Sequence, residues 1–224
     1  MYKKTIVIFS HGFGVRSGSY GLFTDLIKEF DSLWIESLLT EYCNYNPNTN
    51  EVRVKPFSEQ AKILQATIDK TIQNNADSDI ILIGQSQWST IISFCNTEKI
   101  KKIIMISPFF HTEAKDIVAR YTKDPNNIFS MTETSTRKRS DGTTTMIPPS
   151  YRKERFNTDV LNLYNKKAIE NEIYIFYGLQ DQIINFDEYN KVKNIYLMNL
   201  DGDHDFSKQY RQPLIDKVKH IVTL

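Results

Sequence analysis

The sequence predicts an α/β protein built on a mostly parallel sheet with helices on both faces. Short apolar runs, typical of buried strands, alternate with segments whose apolar residues recur at helical spacing. One buried run leads through a tight turn directly into an apolar helix at residues 80–94. Strand, helix, strand, turn and helix in this order are expected of a doubly wound parallel sheet.

The individual elements follow from these patterns. We expect strands at residues 5–9, 52–54, 80–83, 101–107, 172–177 and 194–200. We expect helices at residues 20–30, 57–74, 88–94, 114–121, 157–164 and 210–223. Residues 33–39 fit either a strand or a helix extension, and residues 42–50 are polar and typical of a loop.

Size and composition indicate one domain with a packed core. The 224 residues, 40% hydrophobic and 12% aromatic, suit a single domain over residues 1–224. Cys43 and Cys95 form no disulfide framework and have no metal-ligand spacing, so we expect no metal and no cofactor.

The net charge and the hydropathy of the chain argue against nucleic-acid and membrane partners. The formal net charge of +1 argues against a nucleic-acid partner or an anionic membrane surface. No apolar stretch is long enough to span a membrane, and the run at residues 6–9 is too short for a signal peptide. We therefore expect a cytoplasmic protein.

Ser86 is the candidate nucleophile. It lies in Gly84-Gln85-Ser86-Gln87-Trp88, where the buried run meets the helix. A hydroxyl on such a turn projects above the carboxyl end of a sheet, beside free backbone N–H groups. Acyl transfer needs this geometry, because a base must take the hydroxyl proton and donors must meet the developing oxyanion. A serine in an ordinary strand-to-helix turn is the alternative.

Asp181 and His204 follow the ends of two later predicted strands. Near neutral pH a histidine can accept the serine proton, and a carboxylate can hold the imidazole in the required tautomer. His204 between aspartates also fits a plain surface loop, and Asp201, Asp203 and Asp205 are competing carboxylates. Asp187 is expected to cap a helix. His220 fits a surface position, and His111, near the start of a long segment that follows a buried strand, fits a position facing the pocket.

With these motifs the chain resembles the α/β-hydrolase superfamily of serine hydrolases. The Ser, Asp, His order matches that superfamily, as do Gly178 to Asp181 and Gly202 to Phe206. Trp88 departs from the superfamily's G-x-S-x-G pattern, which has a small residue there. The resemblance implies the α/β-hydrolase fold, with Ser86, Asp181 and His204 as a catalytic triad.

The resemblance also assigns roles around the serine. The loop Ser10-His11-Gly12-Phe13-Gly14 would supply one oxyanion donor, the backbone N–H of Phe13, and Gln87 N–H the other. His11, Gly12 and Trp88 are assigned to substrate binding, although hydrogen bonding within the loop is the simpler expectation for the His11 side chain. Arg16 fits either a contact to a substrate carboxylate or a solvated loop position.

Residues 109–167 form a long excursion that occupies the place of a cap or lid in this superfamily. Its polar middle, residues 132–145, contains Arg137-Lys138-Arg139, which is typical of a solvated loop and alternatively suits an anionic substrate or partner. Aromatic and aliphatic residues on its flanks predict a partly apolar acyl pocket: Phe109, Phe110, Ile117, Val118, Tyr121 and Tyr164.

The sequence therefore predicts a serine hydrolase that cleaves a small-molecule carboxylic ester or thioester through an acyl-enzyme. An amide or peptide hydrolase is the nearest alternative, because the same triad cleaves both bond types. A non-catalytic binding protein of the same fold is another, if Trp88 distorts the serine turn. The sequence does not set the oligomeric state.

Overall fold

A computed structural model describes the protein at residues 3–11, 13, 21–110, 118–119, 121–139 and 141–224. The strands of this part of the chain are β1 (Thr5–Ser10), β2 (Glu36–Thr40), β3 (Asn44–Asn46), β4 (Glu51–Arg53), β5 (Asp79–Gln85), β6 (Lys102–Ile106), β7 (Ser135–Lys138), β8 (Thr144–Ile147), β9 (Glu172–Gly178) and β10 (Tyr196–Leu200). Its helices are α1 (Leu22–Asp31), α2 (Phe57–Asn74), α3 (Trp88–Ser93), α4 (Pro149–Asn157), α5 (Val160–Glu170), α6 (Phe186–Tyr189) and α7 (Arg211–Thr223).

The larger sheet has six strands in the order β2-β1-β5-β6-β9-β10, and every neighbouring pair is parallel. Strands β1, β5 and β6 are apolar and almost completely buried, as expected where helices cover both faces. The predicted parallel sheet is confirmed. The carboxyl ends of its strands lie along one edge, where α/β sheets place their ligands.

Two apolar clusters flank this sheet. On one face, α1 and α7 pack Leu22, Phe23 and Leu214 against β1 and β5. On the other face, α2, α3 and α5 pack against the opposite side chains of the same strands. Helices on both faces are thus confirmed. Among the described residues, no helix combines the length and apolar character needed to cross a bilayer.

A second, four-stranded sheet has the order β3-β4-β8-β7. It corrects two expectations, because β3 lies within residues 42–50 and β7 within residues 132–145, both expected to be loops. Because their side chains are mostly polar, these strands lack the apolar pattern that predicts a strand. Their backbones pair with β4 and β8. Helix α4 was not predicted. The next helix begins at Val160 rather than at 157, because the Asp159 side chain accepts a hydrogen bond from Asn162 N–H.

Candidate active site

Ser86 lies on a strained turn between β5 and α3. Its φ of 56° is in the left-handed region, which costs a non-glycine residue about 1–3 kcal/mol. The surrounding backbone holds it there: Ser86 N–H donates to the Ile106 carbonyl at 2.8 Å, and its own carbonyl accepts from Ser89 N–H at 3.2 Å. At Gly84 a Cβ atom would lie 2.8 Å from Ile92 Cδ1 and 3.1 Å from Ser89 N, so glycine allows α3 to pass close to β5.

The loops that follow β9 and β10 pack backbone against backbone. A Cβ atom on Gly178 would lie 2.2 Å from the Gly202 carbonyl oxygen, so only glycine permits this approach. Gln180 N–H donates to the same carbonyl at 2.9 Å. The contact fixes the position of Asp181 relative to His204, although the two residues are 23 positions apart.

The structure brings Ser86, His204 and Asp181 into one hydrogen-bonded line. His204 Nδ1 lies 2.8 Å from Asp181 Oδ2, and His204 Nε2 lies 2.9 Å from Ser86 Oγ. Asp181 Oδ1 also accepts from Ile183 N–H at 2.7 Å and Ile184 N–H at 3.0 Å, which fixes the carboxylate plane. With Nδ1 protonated toward Asp181, Nε2 is free to accept the Ser86 proton.

The competing carboxylates have other partners. Asp203 accepts hydrogen bonds from the N–H and the hydroxyl of Ser207. Burial disfavours its charged form, yet the bonds from Ser207 hold the pKa of Asp203 below its ordinary value. Asp205 accepts from Gln85 Nε2 at 2.9 Å, and Asp201 is exposed. Asp187 does not cap its helix; the Asn185 side chain does.

The expected oxyanion donors border the serine. Gln87 is the N-cap residue of α3, where N–H groups have no partner inside the helix. Neither Gln87 N–H nor Phe13 N–H donates within the turns and loops that the structure describes. Phe13 and Gln87 both line the cavity above Ser86. Two N–H groups that donate to no described backbone carbonyl suit an oxyanion that forms only during the reaction.

His11 and Trp88 lie beneath the serine turn rather than on the cavity wall. Both side chains are fully buried. The Trp88 ring stacks on Tyr42 with centroids 4.7 Å apart and meets the His11 ring edge at 5.4 Å. The indole therefore fills a space below the turn without displacing Ser86. Neither His11 nor Trp88 is among the described residues that line the cavity, and Gly12, Arg16 and His111 lie outside the described residues.

His11 also takes part in a polar cluster. Its ring nitrogen, a Glu41 carboxylate oxygen and the Cys43 thiol lie within 4.8 Å of one another, a grouping that could hold a metal ion. Glu41 lies 3.2 Å from His11 Nε2. The expectation that the protein needs no metal stays a prediction.

Comparisons with known proteins bear on the fold. No protein-family model and no curated protein sequence matches the chain. Solved structures do: the esterase Est1E from Butyrivibrio proteoclasticus with bound ferulic acid has a TM-score of 0.71 at 16% identity, covering 99% of this chain and 89% of its own. The peroxisomal α/β-hydrolase Lpx1 from Saccharomyces cerevisiae has a TM-score of 0.69 at 11% identity, covering 99% and 77%.

The protein has the α/β-hydrolase fold. A monoacylglycerol lipase from Paleococcus ferrophilus shares this fold, with a TM-score of 0.69, 14% identity, and coverage of 99% of this chain and 96% of its own. In this α/β-hydrolase fold the serine, aspartate and histidine loops meet at the carboxyl edge of the parallel sheet, where the structure brings Ser86, Asp181 and His204 together.

A cavity of about 830 Å³ opens above the serine of the α/β-hydrolase fold. The described residues that line it are Phe13, Gln85, Ser86, Gln87, Phe109, Tyr121, Lys123, Arg137, Lys138, Arg139, Tyr151, Arg152, Arg155, Gln182, Ile183, His204, Asp205, Ser207 and Arg211. Phe109 and Tyr121 fit the expected acyl pocket. Phe110 and Tyr164 instead pack on each other in the core, Val118 is not on the described wall, and Ile117 is not described.

The basic triplet at residues 137–139 lines this cavity instead of lying on a solvated loop. Arg137 and Lys138 belong to β7, which pairs antiparallel with β8. Arg139 donates to the Phe13 carbonyl at 2.6 Å and lies over the Phe13 ring at 5.3 Å. It thereby ties the loop that carries one expected oxyanion donor to the second sheet.

Sequence reasoning missed a group of residues on α4. Tyr151 donates a hydrogen bond to Gln87 Oε1, and Arg155 Nη1 donates to the same oxygen at 3.0 Å. Burial raises the pKa of Tyr151 to about 12, so the hydroxyl stays protonated and remains a donor. The adjacent prolines 148 and 149, which precede and begin α4, were a usable signal for a helix start.

Proposed function

We propose that the protein is a serine hydrolase that cleaves carboxylic esters through an acyl-enzyme. The observation that carries the proposal is the hydrogen-bonded line Ser86–His204–Asp181, with Nε2–Oγ and Nδ1–Oδ2 distances of 2.9 and 2.8 Å. Ester hydrolysis as the reaction class is supported by the esterases and the lipase among the solved structures that share the fold.

The reaction follows from these positions. Ser86 Oγ attacks the ester carbonyl while His204 Nε2 takes its proton, and Asp181 stabilises the resulting imidazolium. The N–H groups of Phe13 and Gln87 donate to the oxyanion of the tetrahedral intermediate. Collapse of the intermediate expels the alcohol, which takes the proton from His204. Water then attacks the acyl-enzyme by the same route and releases the acid.

The segment of residues 109–167 is proposed to act as the cap of this site within a single domain over residues 1–224. Its described residues supply Phe109, Tyr151 and Arg155 to the cavity wall. Because they stand opposite Ser86 and His204, they would limit access of water and select the substrate.

Labelling with a fluorophosphonate followed by peptide mapping tests the nucleophile. We expect modification at Ser86 in the wild type and none in Ser86→Ala or His204→Ala. Ser89→Ala is the matched control, because this buried serine lies one turn away on α3 and should not affect labelling. A folded wild-type protein that is not labelled would overturn the proposal and favour the binding-protein alternative.

A substrate panel then separates the bond types. Ethyl hexanoate, the corresponding coenzyme A thioester and the N-ethyl amide present the same acyl group with three leaving groups. We expect hydrolysis of the ester in preference to the amide. A labelled protein that cleaves the amide faster would be an amide or peptide hydrolase instead.

A further inference from the structure

The cavity above Ser86 is strongly cationic in a protein that is nearly neutral overall. Seven lysine or arginine residues and one aspartate line it among the described residues, whereas the formal net charge of the chain is +1. Arg211 is paired with Asp25 at 2.9 Å, and Asp205 is held by Gln85. The excess of positive charge therefore comes from α4, from β7 with the residue that follows it, and from Lys123.

We call the residues without a carboxylate partner in the described part of the chain the cationic wall. They are Lys123, Lys138, Arg139, Arg152 and Arg155. Their hydrogen bonds go to neutral acceptors, such as Ser135 Oγ for Arg152 and Gln87 Oε1 for Arg155. Clustered cations in one cleft raise the local concentration of anions.

Arg152 is the most informative member of the cationic wall. The residue is 2% exposed, and its Nη2 is buried and has no hydrogen-bond partner among the described residues. The guanidinium lies 4.7 Å from the Tyr121 ring centroid and 4.2 Å from that of Phe129. Burial lowers the pKa of Arg152, which reflects the cost of keeping this cation out of water. A negative charge in the cavity would offset that cost.

Arg155 lies one helical turn further along α4 and closer to the serine turn. Its guanidinium lies 4.3 Å from the Phe109 ring centroid, and its Nε is buried without a hydrogen-bond partner. Arginine presents several donors in a planar fork that matches carboxylate and phosphate groups. Together Arg152 and Arg155 offer two guanidinium groups with unused donors in one wall.

We propose that the ester cleaved at Ser86 carries a second, anionic group, a carboxylate or a phosphate, which the cationic wall binds through Arg155 and Arg152. This inference rests on the proposed function and narrows its substrate class. The neutral ester group then faces Ser86 and His204, and the charged end faces α4. A cavity of about 830 Å³ accommodates an ester with a charged group several carbon atoms from the carbonyl.

The first test compares monoethyl adipate with diethyl adipate, which have the same chain and differ in one negative charge. We expect kcat/KM to be roughly 10- to 100-fold higher for the monoester, as one charge-assisted contact provides. Ethyl 6-(phosphonooxy)hexanoate provides the phosphate arm, and preference for it over the monoester would identify phosphate as the anion. Equal rates for the three esters, or preference for the diester, would overturn the inference.

Variants locate the anion site. In Arg155→Gln the ratio of kcat/KM for monoester to diester should fall by roughly 10-fold or more. Lys153→Gln is the matched control, because Lys153 is an exposed cation on the same helix that does not line the cavity. Arg155 also contacts Gln87, so a second variant that does not affect this contact is needed. In the double variant Lys123→Gln/Lys138→Gln, which changes two exposed lysines, the ratio of kcat/KM for monoester to diester should again fall.

A binding measurement keeps this test separate from the proposed function. Titration calorimetry with Ser86→Ala compares the Kd of the monoester and the diester when no chemistry occurs. Tighter binding of the monoester supports the anion site, and equal binding overturns it. A wild-type protein that is labelled at Ser86 yet prefers the diester would retain the hydrolase proposal and overturn the anionic substrate. If labelling fails but the monoester still binds more tightly, the hydrolase proposal and the anionic substrate are both overturned, and only an anion-binding site remains.

Discussion

The two sides of the cavity are built differently. The floor, Ser86, Asp181 and His204, stands on the carboxyl edge of a parallel sheet, and two short hydrogen bonds join its three side chains. The wall stands on α4 and a small mixed sheet, and its cations have neutral partners or unused donors. The floor is complete without a ligand, whereas the wall is not. Under the proposed function, this difference separates bond cleavage from substrate selection.

The largest expected effect comes from the floor. Asp181→Asn should lower kcat by about 10⁴-fold, because an amide at this position no longer holds the His204 tautomer that accepts the serine proton. Kinetics on diethyl adipate measures this effect without involving the cationic wall. Asp201→Asn is the control: it removes a nearby exposed carboxylate that lies outside the hydrogen-bonded line and should retain full activity. Comparable losses in both variants would contradict the assignment of Asp181.

The support beneath the floor should matter nearly as much, through stability. Trp88→Ala removes a fully buried indole below the serine turn and should lower the free energy of unfolding by about 3–5 kcal/mol. Trp34 is 94% exposed, so Trp34→Ala should change it by less than about 0.5 kcal/mol. Urea denaturation followed by circular dichroism measures both. A small loss at Trp88 would mean that the turn does not depend on this packing.

Ionic strength should distinguish the two sides. Raising it from about 10 mM to about 150 mM shortens the Debye length from roughly 30 Å to roughly 8 Å. Attraction of the monoester by the cationic wall weakens accordingly, so its kcat/KM should fall several-fold. The floor acts on the neutral carbonyl over hydrogen-bond distances, and diethyl adipate serves as the control with an unchanged rate. A parallel fall for both esters would argue against a charge-selective wall.

The smallest expected effect concerns Tyr151, which joins the two sides through Gln87. Because the pKa of Tyr151 is raised to about 12 from 10.0, its contribution to stability is complete below pH 10. It is lost as the pH rises from about 10 to about 12, since the unfolded chain releases this proton first.

Melting temperatures at several alkaline pH values check this expectation. Tyr151→Phe should lose less stability than the wild type between about pH 10 and pH 12. The difference between the melting temperatures of the same two proteins at pH 8 measures the effect of losing the hydrogen bond itself. Identical alkaline slopes would mean that the Tyr151 hydroxyl reaches water.

The fold was largely predictable because a parallel sheet requires continuous apolar strands between helices. Helix α2 was predicted with the bounds that the structure gives, Phe57–Asn74. The order of Ser86, Asp181 and His204, each beyond a predicted strand, was also visible in the chain. Strands β3 and β7 were not, because their side chains are polar and the sheet that contains them depends on the pairing of β4 with β8, which are distant in sequence.

The sequence by itself determined the succession of most strands and helices along an α/β chain and the residues that compose the floor, since burial pattern and motif are local properties. Only the tertiary structure decided that the basic triplet and α4 face Ser86. Charge runs carry no information about direction, and the pairing of β4 with β8 and the hydrogen bond from Arg139 to the Phe13 carbonyl place Arg139 at the cavity. The positive wall therefore depends on contacts between segments that are far apart in the chain.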